Sequence, residues 1–248
     1  MDITALTPDE VKSYLERAKK SLGEDFEKYP REQILEAVAH LSYKNAPKEM
    51  PKKESETKPT LYIFRHGQTT DNKDFIFSGW RDAELTEKGI RQALELAEKI
   101  KDKKIQMLIS SPQIRAIETM KHAISKNEGA KNLEIHKEPR IKERHYGDYQ
   151  GKSKLEIYMK DREKLASVRR SYDNPPPNGE SVKMVCARVA DFCDEIVPLM
   201  KKEKINVAIS CHGNSIRGFR KYFENLSDYD TAHVETPLGQ DYLAYVIE

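Results

Sequence analysis

Short apolar runs alternate with helical patterns along residues 60–248, and this alternation strongly limits the folds open to the chain. The runs lie at about 60–65, 106–110, 133–138, 206–211 and 242–247, with helical patterns near 86–101, 112–127, 154–165, 180–203 and 213–224. Strands without a polar face are typical of a parallel sheet that helices cover on both sides. The pattern therefore predicts an α/β protein, a three-layer α/β/α fold with a mainly parallel sheet.

The first 58 residues follow a different pattern, which predicts a helical extension and a charged linker. Thr7-Pro8-Asp9-Glu10 is a typical helix start, and a second helical pattern follows Pro30 until Asn45-Ala46-Pro47. Residues 47–59 contain three prolines and many charges, which predicts an exposed linker. We divide the chain into an extension at 1–58 and a larger domain at 59–248. We expect the extension to pack on that domain or to bind a protein partner.

The charge balance and the cysteines exclude several classes of protein. A formal net charge of only +2 gives no overall field for nucleic acid or for an anionic membrane. No apolar stretch reaches the roughly 20 residues of a membrane span, and the start of the chain does not resemble a signal peptide. Three scattered cysteines fit a reducing compartment and lack the spacing of a metal site. We therefore expect a cytoplasmic protein that binds no nucleic acid, no membrane and no metal.

Basic side chains and histidines follow the predicted strands at the points where they end. Arg65, His66 and Gly67 follow the first apolar run, His212 follows another 146 residues later, and Arg115 lies just after the second run. Open α/β sheets bind ligands at the carboxyl ends of their strands. A single histidine there is more often structural, but this combination is rare. It predicts a neutral imidazole that attacks phosphorus while nearby cations stabilise the charge.

Four segments carry a resemblance to a known family. They are Arg65-His66-Gly67-Gln68-Thr69-Thr70-Asp71-Asn72 with Phe77-Ser78-Gly79-Trp80, Glu143-Arg144-His145-Tyr146-Gly147 with Lys154, Arg169-Arg170-Ser171-Tyr172-Asp173 before three prolines, and His212-Gly213-Asn214-Ser215-Ile216-Arg217-Gly218. Together they resemble the motifs of the cofactor-dependent phosphoglycerate mutases, a family of the histidine phosphatase superfamily. The first and fourth segments are common to the superfamily, whereas the second and third are more specific to mutases.

The resemblance implies a reaction and a role for each matching residue. It implies that His66 becomes phosphohistidine, that His212, Arg65 and Arg115 surround the same phosphate, and that Glu143 is the general acid and base. The implied substrate-binding residues are Asn72, Ser78, Gly79, Arg144, Tyr146, Lys154, Arg169, Arg170, Gly213 and Asn214. The implied reaction is the interconversion of 3-phosphoglycerate and 2-phosphoglycerate in glycolysis and gluconeogenesis. It would be primed by 2,3-bisphosphoglycerate and need no metal.

Physical reasoning leaves two further functions open. A phosphoglycerate carries a phosphate and a carboxylate, so its site needs a second cationic group, for which Arg169 and Arg170 in a proline-stiffened loop are well suited. The segment after Pro177 is short, so a monomer is as plausible as a homodimer, and the chain stops at Glu248 without the tail that covers many mutase sites. These departures favour the alternative of a histidine phosphatase that hydrolyses small phosphomonoesters or bisphosphoglycerate. A non-enzymatic binding protein is the third candidate, and the full set of reactive residues argues against it.

Overall fold

A five-stranded sheet forms the centre of the computed structural model, which describes residues 6–42 and 49–248. Its strands are β1 (Thr60–Arg65), β2 (Met107–Ser110), β3 (Ile135–Lys137), β4 (Val207–Cys211) and β5 (Tyr242–Val246). They lie in the order β3-β2-β4-β1-β5, and all are parallel except β5, which runs antiparallel to β1. Each strand lies within a predicted apolar run, so the mainly parallel sheet is confirmed.

Each predicted helical pattern corresponds to helix in the structure, but one pattern is divided in two, and two short helices were not predicted. The helices are α1 (Pro8–Leu22), α2 (Arg31–Leu41), α3 (Thr70–Lys73), α4 (Glu87–Ile100), α5 (Ile114–Ile124), α6 (Lys154–Lys160), α7 (Arg162–Arg170), α8 (Val182–Glu203), α9 (Gly213–Glu224) and α10 (Asp228–His233). The single helix predicted near 154–165 is two helices, because the extended backbone of Asp161 interrupts it and its carboxylate caps α7. This break matters for the site, because α6 begins and α7 ends at residues predicted to bind substrate.

Helices cover both faces of the sheet and produce two separate cores. On one face Val189 and Phe192 of α8 pack with Phe219 of α9 against β1 and β4. On the other face Leu96 of α4 and Met120 of α5 lie against the opposite side chains of the same strands. This is the predicted three-layer arrangement. Within residues 6–42 and 49–248, the structure has no helix that is both long and apolar enough to cross a membrane.

The register of β1 and β4 determines where the two strand-end histidines lie. Leu61 pairs with Val207 and Arg65 pairs with Cys211, so both strands end at the same level. The next residues, His66 and His212, therefore leave the sheet side by side. Ser110 at the end of β2 pairs with Ser210, which brings the start of α5 to the same edge. The carboxyl ends of these strands thus bring together residues that are far apart in sequence.

The N-terminal helices pack against the part of the domain that carries α6 and α7. Thr7 precedes α1 and forms a capping box with Glu10, and Ala18 and Val38 lie in a core with Phe77, Leu155 and Leu165. The hydroxyl groups of Ser21 and Ser153 are 2.8 Å apart at the start of α6. Both helices therefore support α6 and α7 from the outside.

The segment before β1 differs from the exposed linker that its composition suggested. Lys53 N–H donates to Ala244 O (2.9 Å) and Ala244 N–H donates to Pro51 O (3.2 Å), so this segment pairs with the outer edge of β5. Met50 is buried in the core behind it. The charged side chains are exposed as expected, but the backbone satisfies its hydrogen bonds on the sheet. The predicted helix stop at 45–47 lies outside the described residues, and the division at residue 58 stays a prediction.

A buried carboxylate anchors this segment. Asp241 accepts from Met50 N–H (2.6 Å), Lys52 Nζ (2.8 Å) and Lys99 Nζ (3.0 Å), and only 3% of the residue is exposed. Burial alone would raise the pKa of Asp241, but these hydrogen bonds outweigh burial and the pKa lies below its ordinary value. The carboxylate therefore stabilises the folded chain while it is ionised.

We expect Asp241→Asn to lower the free energy of unfolding by about 2 kcal/mol at pH 7, because charge-assisted hydrogen bonds are lost. The folded pKa is depressed, so this contribution is present above the unfolded value of about 3.9 and is lost as the pH falls through the folded value. Urea unfolding at several pH values measures it, with Glu248→Gln at an exposed terminal carboxylate as the control. An equal difference between wild type and variant at pH 7 and pH 3 would contradict the assignment.

Candidate active site

The imidazole of His66 is held as a neutral base at the end of β1. Its Nδ1 lies 2.7 Å from the carbonyl oxygen of Gly67, which can only accept, so Nδ1 carries the proton and Nε2 keeps the lone pair. Burial, and then the charges of Arg115 and Arg65, hold the pKa of His66 well below its ordinary value. This ring is therefore neutral at neutral pH and carries a lone pair on Nε2, as a nucleophile would require.

Close backbone packing fixes the position of this ring. A Cβ atom on Gly67 would lie 2.3 Å from the carbonyl oxygen of Gly89, so any larger residue would push α4 away. The amide of Gly67 also donates to Thr119 Oγ1 at 3.0 Å. A glycine therefore follows His66 for a steric reason, because the backbone at this position passes directly against the first turn of α4.

His212 lies beside His66 and directly precedes α9, and its side chain makes no capping hydrogen bond to that helix. The two ring centroids are 5.1 Å apart, and His212 Nε2 lies 2.8 Å from Ser111 Oγ. Burial, then the charges of Arg115 and the neighbouring His66, hold the pKa of His212 well below its ordinary value. Its Nδ1 is buried and has no hydrogen-bond partner among the residues that the structure describes. A phosphate oxygen beside His66 is a suitable partner for this nitrogen.

Two arginines flank the histidines. Arg115, in the first turn of α5, donates to the carbonyl oxygens of Arg81 and Gly79, both at 2.8 Å. Gly79 has a φ of +53°, a left-handed conformation that turns this carbonyl toward the guanidinium. Burial lowers the pKa of Arg115 to about 10, so it remains charged at neutral pH. Arg65 donates to Thr236 O at 2.8 Å and lies against the backbone of Gly213.

The same centre offers a set of atoms that a metal ion could use. One ligand atom each from His66, Glu143 and His212 lie within 4.8 Å of one another, and two histidines with a carboxylate are a known set of metal ligands. However, after burial, which is the largest cause, the charges of Arg115 and Arg65 also lower the pKa of both histidines, so the potential there is positive. This potential favours a phosphate over a metal ion.

Glu143 is buried near the two imidazoles. Its Oε1 accepts from Arg144 N–H (2.8 Å), Asn214 N–H (3.2 Å) and Asn214 Nδ2 (2.8 Å). Among the residues that the structure describes, all hydrogen bonds to this carboxylate are accepted by Oε1 and none by Oε2. Oε1 is therefore the anchored oxygen, and Oε2 is the one suited to take up and release a proton.

A second cationic group lies in the same cavity. Lys154 begins α6, where its Nζ donates to Ile76 O at 2.6 Å, and Arg169 and Arg170 form the last turn of α7. The sequence interpretation placed the two arginines in a proline-stiffened loop; they lie instead at a helix end, where the carbonyl dipoles favour cations. The prolines begin only after this helix and lead back to α8.

One cavity contains almost all of the predicted site residues. Those that line it are Arg65, His66, Asn72, Ser78, Gly79, Arg115, Glu143, Tyr146, Lys154, Arg169, Arg170, Gly213 and Asn214. His212 lies just beneath, in contact with His66. The cavity therefore joins the predicted phosphate end, the predicted acid and base, and the predicted second cationic group.

Arg144 is the exception among the residues predicted to bind substrate. Its side chain is fully buried and does not line the cavity. The guanidinium donates to Val168 O (3.0 Å) and Glu180 O (2.5 Å), and so ties the Glu143 loop to the end of α7. This placement suits a positioning role, and the predicted contact of Arg144 with substrate stays a prediction.

The cavity also has lining residues that the sequence interpretation missed. Arg217 lies within the fourth quoted segment, so its place in α9 was available as a signal. Val234, Glu235 and Thr236 belong to a loop after α10 with no recognisable pattern. Glu235 forms an ion pair with Arg170 inside the cavity.

Comparisons with known proteins agree with this geometry. Residues 61–240 match the family model of the histidine phosphatase superfamily, branch 1. Phosphoglycerate mutase 1 of Saccharomyces cerevisiae is 33% identical over 73% of this chain and 84% of the yeast protein. A 2,3-bisphosphoglycerate-dependent phosphoglycerate mutase of Parvibaculum lavamentivorans is 39% identical over 67% of this chain and 80% of its own length.

Among solved structures, a mycobacterial glucosyl-3-phosphoglycerate phosphatase superposes with a TM-score of 0.66 at 25% identity, covering 75% of this chain and 92% of that protein. The match to the family model, 180 residues long, begins only after the N-terminal helices. The chain belongs to the histidine phosphatase superfamily and, within it, to the cofactor-dependent phosphoglycerate mutase family.

Proposed function

We propose that this enzyme is a phosphoglycerate mutase that interconverts 3-phosphoglycerate and 2-phosphoglycerate through phosphohistidine at His66. The observation that carries the proposal is the single cavity that is lined by His66, Arg65 and Arg115 and also by Lys154, Arg169 and Arg170. A substrate with a phosphate and a carboxylate needs both groups of cations. A simple phosphatase needs only the first.

The donors of the cavity also fit 2,3-bisphosphoglycerate as the primer. Arg65, Arg115 and the orphaned Nδ1 of His212 suit one phosphate, and Lys154 with the arginine pair suits the other anionic groups. When bound, this compound supplies the phosphoryl group that first phosphorylates His66.

Each residue of the site then has its own role in phosphoryl transfer. Nε2 of His66 accepts and returns the phosphoryl group, while Nδ1 keeps its proton on Gly67 O. Arg65 and Arg115 neutralise the charge that develops on the equatorial oxygens. Glu143 takes the proton from the attacking substrate hydroxyl and gives it back to the oxygen that leaves. All four residues line the cavity, which supports these roles.

A histidine phosphatase is the second candidate, and a specific observation favours it. The solved structure at 25% identity is named a glucosyl-3-phosphoglycerate phosphatase. The same His66 and Glu143 would serve hydrolysis if Glu143 took its proton from water instead of a substrate hydroxyl. The two reactions differ in the acceptor, so they can be separated by their products.

We expect phosphorus NMR to show 3-phosphoglycerate converting to 2-phosphoglycerate faster than inorganic phosphate appears. Trace 2,3-bisphosphoglycerate should raise this rate, because it charges His66, and a chelator should not change it. Release of phosphate as the main product would instead identify a phosphatase.

The variant His66→Ala tests the nucleophile within the same assay. We expect it to fold and to lose both conversion and the acid-labile label that wild type acquires from labelled bisphosphoglycerate. His136→Ala, at an exposed histidine of β3, is the matched control and should keep both. Near-normal turnover of His66→Ala would overturn the mechanism.

The pH dependence follows from the lowered pKa of both histidines. Burial and the nearby arginines favour the neutral rings, so His66 and His212 should stay unprotonated at pH 6.5, where half of an ordinary histidine is charged. Long-range proton–nitrogen NMR of the free enzyme detects this, with His66 as the Nδ1–H tautomer. Protonation of His66 with a midpoint at or above pH 6.5 would contradict the prediction.

The two groups of cations should be separable by mutation. We expect Arg170→Ala to raise the KM for 3-phosphoglycerate by about 10-fold or more, since one charge-assisted ion pair is lost, and to spare hydrolysis of p-nitrophenyl phosphate. Parallel kinetics on both substrates measure the difference. An equal loss on both would show that Arg170 does not serve a second anion.

A further inference from the structure

Three arginines of the cavity all donate to one short stretch of backbone, residues 232–236, here named the tethered segment. Arg170 donates to Ala232 O (3.3 Å), Arg217 to Val234 O (3.1 Å) and Arg65 to Thr236 O (2.8 Å). The same guanidinium groups line the cavity that the mechanism uses. Any anion that binds these arginines therefore meets groups that are already engaged with the protein.

At Arg170, Glu235 would compete with an anion that binds in the cavity. Its carboxylate lines the cavity and pairs with Nη2 of Arg170, with side-chain exposures of 28% and 17%. Among the described lining residues, only Glu143 and Glu235 carry carboxylates, and Glu143 already has a role in proton transfer. Glu235 is thus a negative charge that the proposed reaction does not require.

We propose that Glu235 is a specificity-determining residue that competes with the carboxylate of the substrate for Arg170. This inference rests on the proposed function, because it concerns the second anion of a phosphoglycerate. A guanidinium binds a protein carboxylate and a substrate carboxylate through the same geometry. The substrate must displace Glu235 or share Arg170 with it, and either arrangement weakens binding of doubly anionic substrates.

Substrates with only one phosphate group escape this competition. They bind around His66 and form no ion pair with Arg170. Glu235 therefore shifts the preference of the site toward phosphomonoesters without a second anion. The same residue bears on the balance between mutase and phosphatase reactions.

The variant Glu235→Gln removes the charge and keeps an oxygen that can accept from Arg170. We expect the KM for 3-phosphoglycerate to fall about 3-fold to 10-fold, with kcat and hydrolysis of p-nitrophenyl phosphate changing less than about 2-fold. A purely structural ion pair predicts the opposite, a KM that stays the same or rises as the tethered segment loosens. Either of those results would overturn the proposal.

Glu224→Gln is the matched control. Glu224 pairs with Arg220 at comparable exposures of 22% and 13%, but neither residue lines the cavity. This variant should leave both activities unchanged. If it lowered the KM as Glu235→Gln does, the effect would be a general consequence of net charge and the proposal would fail.

Calorimetry separates a failure of this inference from a failure of the proposed function. Inorganic phosphate tests the His66 end alone, and 3-phosphoglycerate tests both ends. We expect Glu235→Gln to bind 3-phosphoglycerate more tightly and phosphate equally. If both proteins bind 3-phosphoglycerate equally, and better than phosphate, the role of Glu235 is wrong while the function stands. If wild type binds phosphate as well as 3-phosphoglycerate, the proposed function itself fails.

A double variant tests whether Glu235 acts through Arg170. In the Arg170→Ala background, Glu235→Gln should no longer strengthen binding of 3-phosphoglycerate, because the group in competition has gone. The coupling between the two substitutions measures this directly. Full additivity of the two effects would show that Glu235 repels the substrate without Arg170, which would overturn the competition.

Discussion

The in-register pairing of two parallel strands is the constraint on which the site depends. Arg65 opposite Cys211 brings His66 and His212 out of the sheet at one level, with ring centroids 5.1 Å apart. A slip of one residue would send one imidazole to the other face of the sheet. Both strands are fully buried, so hydrophobic packing on the two faces holds the register that the chemistry requires. The packing of the core therefore determines the relative positions of His66 and His212.

Much of this could be predicted from the sequence, for identifiable physical reasons. Apolar runs without a polar face indicate buried strands, and Arg65-His66-Gly67 after such a run indicates a ligand at the strand end. The positions of Lys154 and Arg170 came from resemblance, since isolated basic residues have no pattern of their own. The helix end at Arg170 was missed because the break at Asp161 depends on one cap rather than on periodicity.

The parts that could not be predicted depend on tertiary contacts. Arg144 lies in the same motif as Glu143 and was therefore expected to bind substrate, but its side chain turns inward to reach Val168 and Glu180. Glu235 lies in a loop with neither strand nor helix character, and only the folded chain brings it to Arg170. The exposed linker was inferred from charges and prolines, which describe its side chains, whereas its backbone hydrogen bonds are made with β5.

The pairing of Pro51 and Lys53 with Ala244 has a consequence for solubility. Strand β5 is the last strand of the sheet, and an open edge of this kind can join the edge of another molecule. The segment from Met50 to Lys53 covers that edge with the chain's own backbone, and a proline and lysines make its outer side a poor template. A shortened protein that begins near residue 60, where the match to the family model starts, would retain every residue predicted for the site and yet lack this pairing at β5. The residues before β1 thus occupy hydrogen-bonding groups of β5 that would otherwise be open to pairing with another molecule.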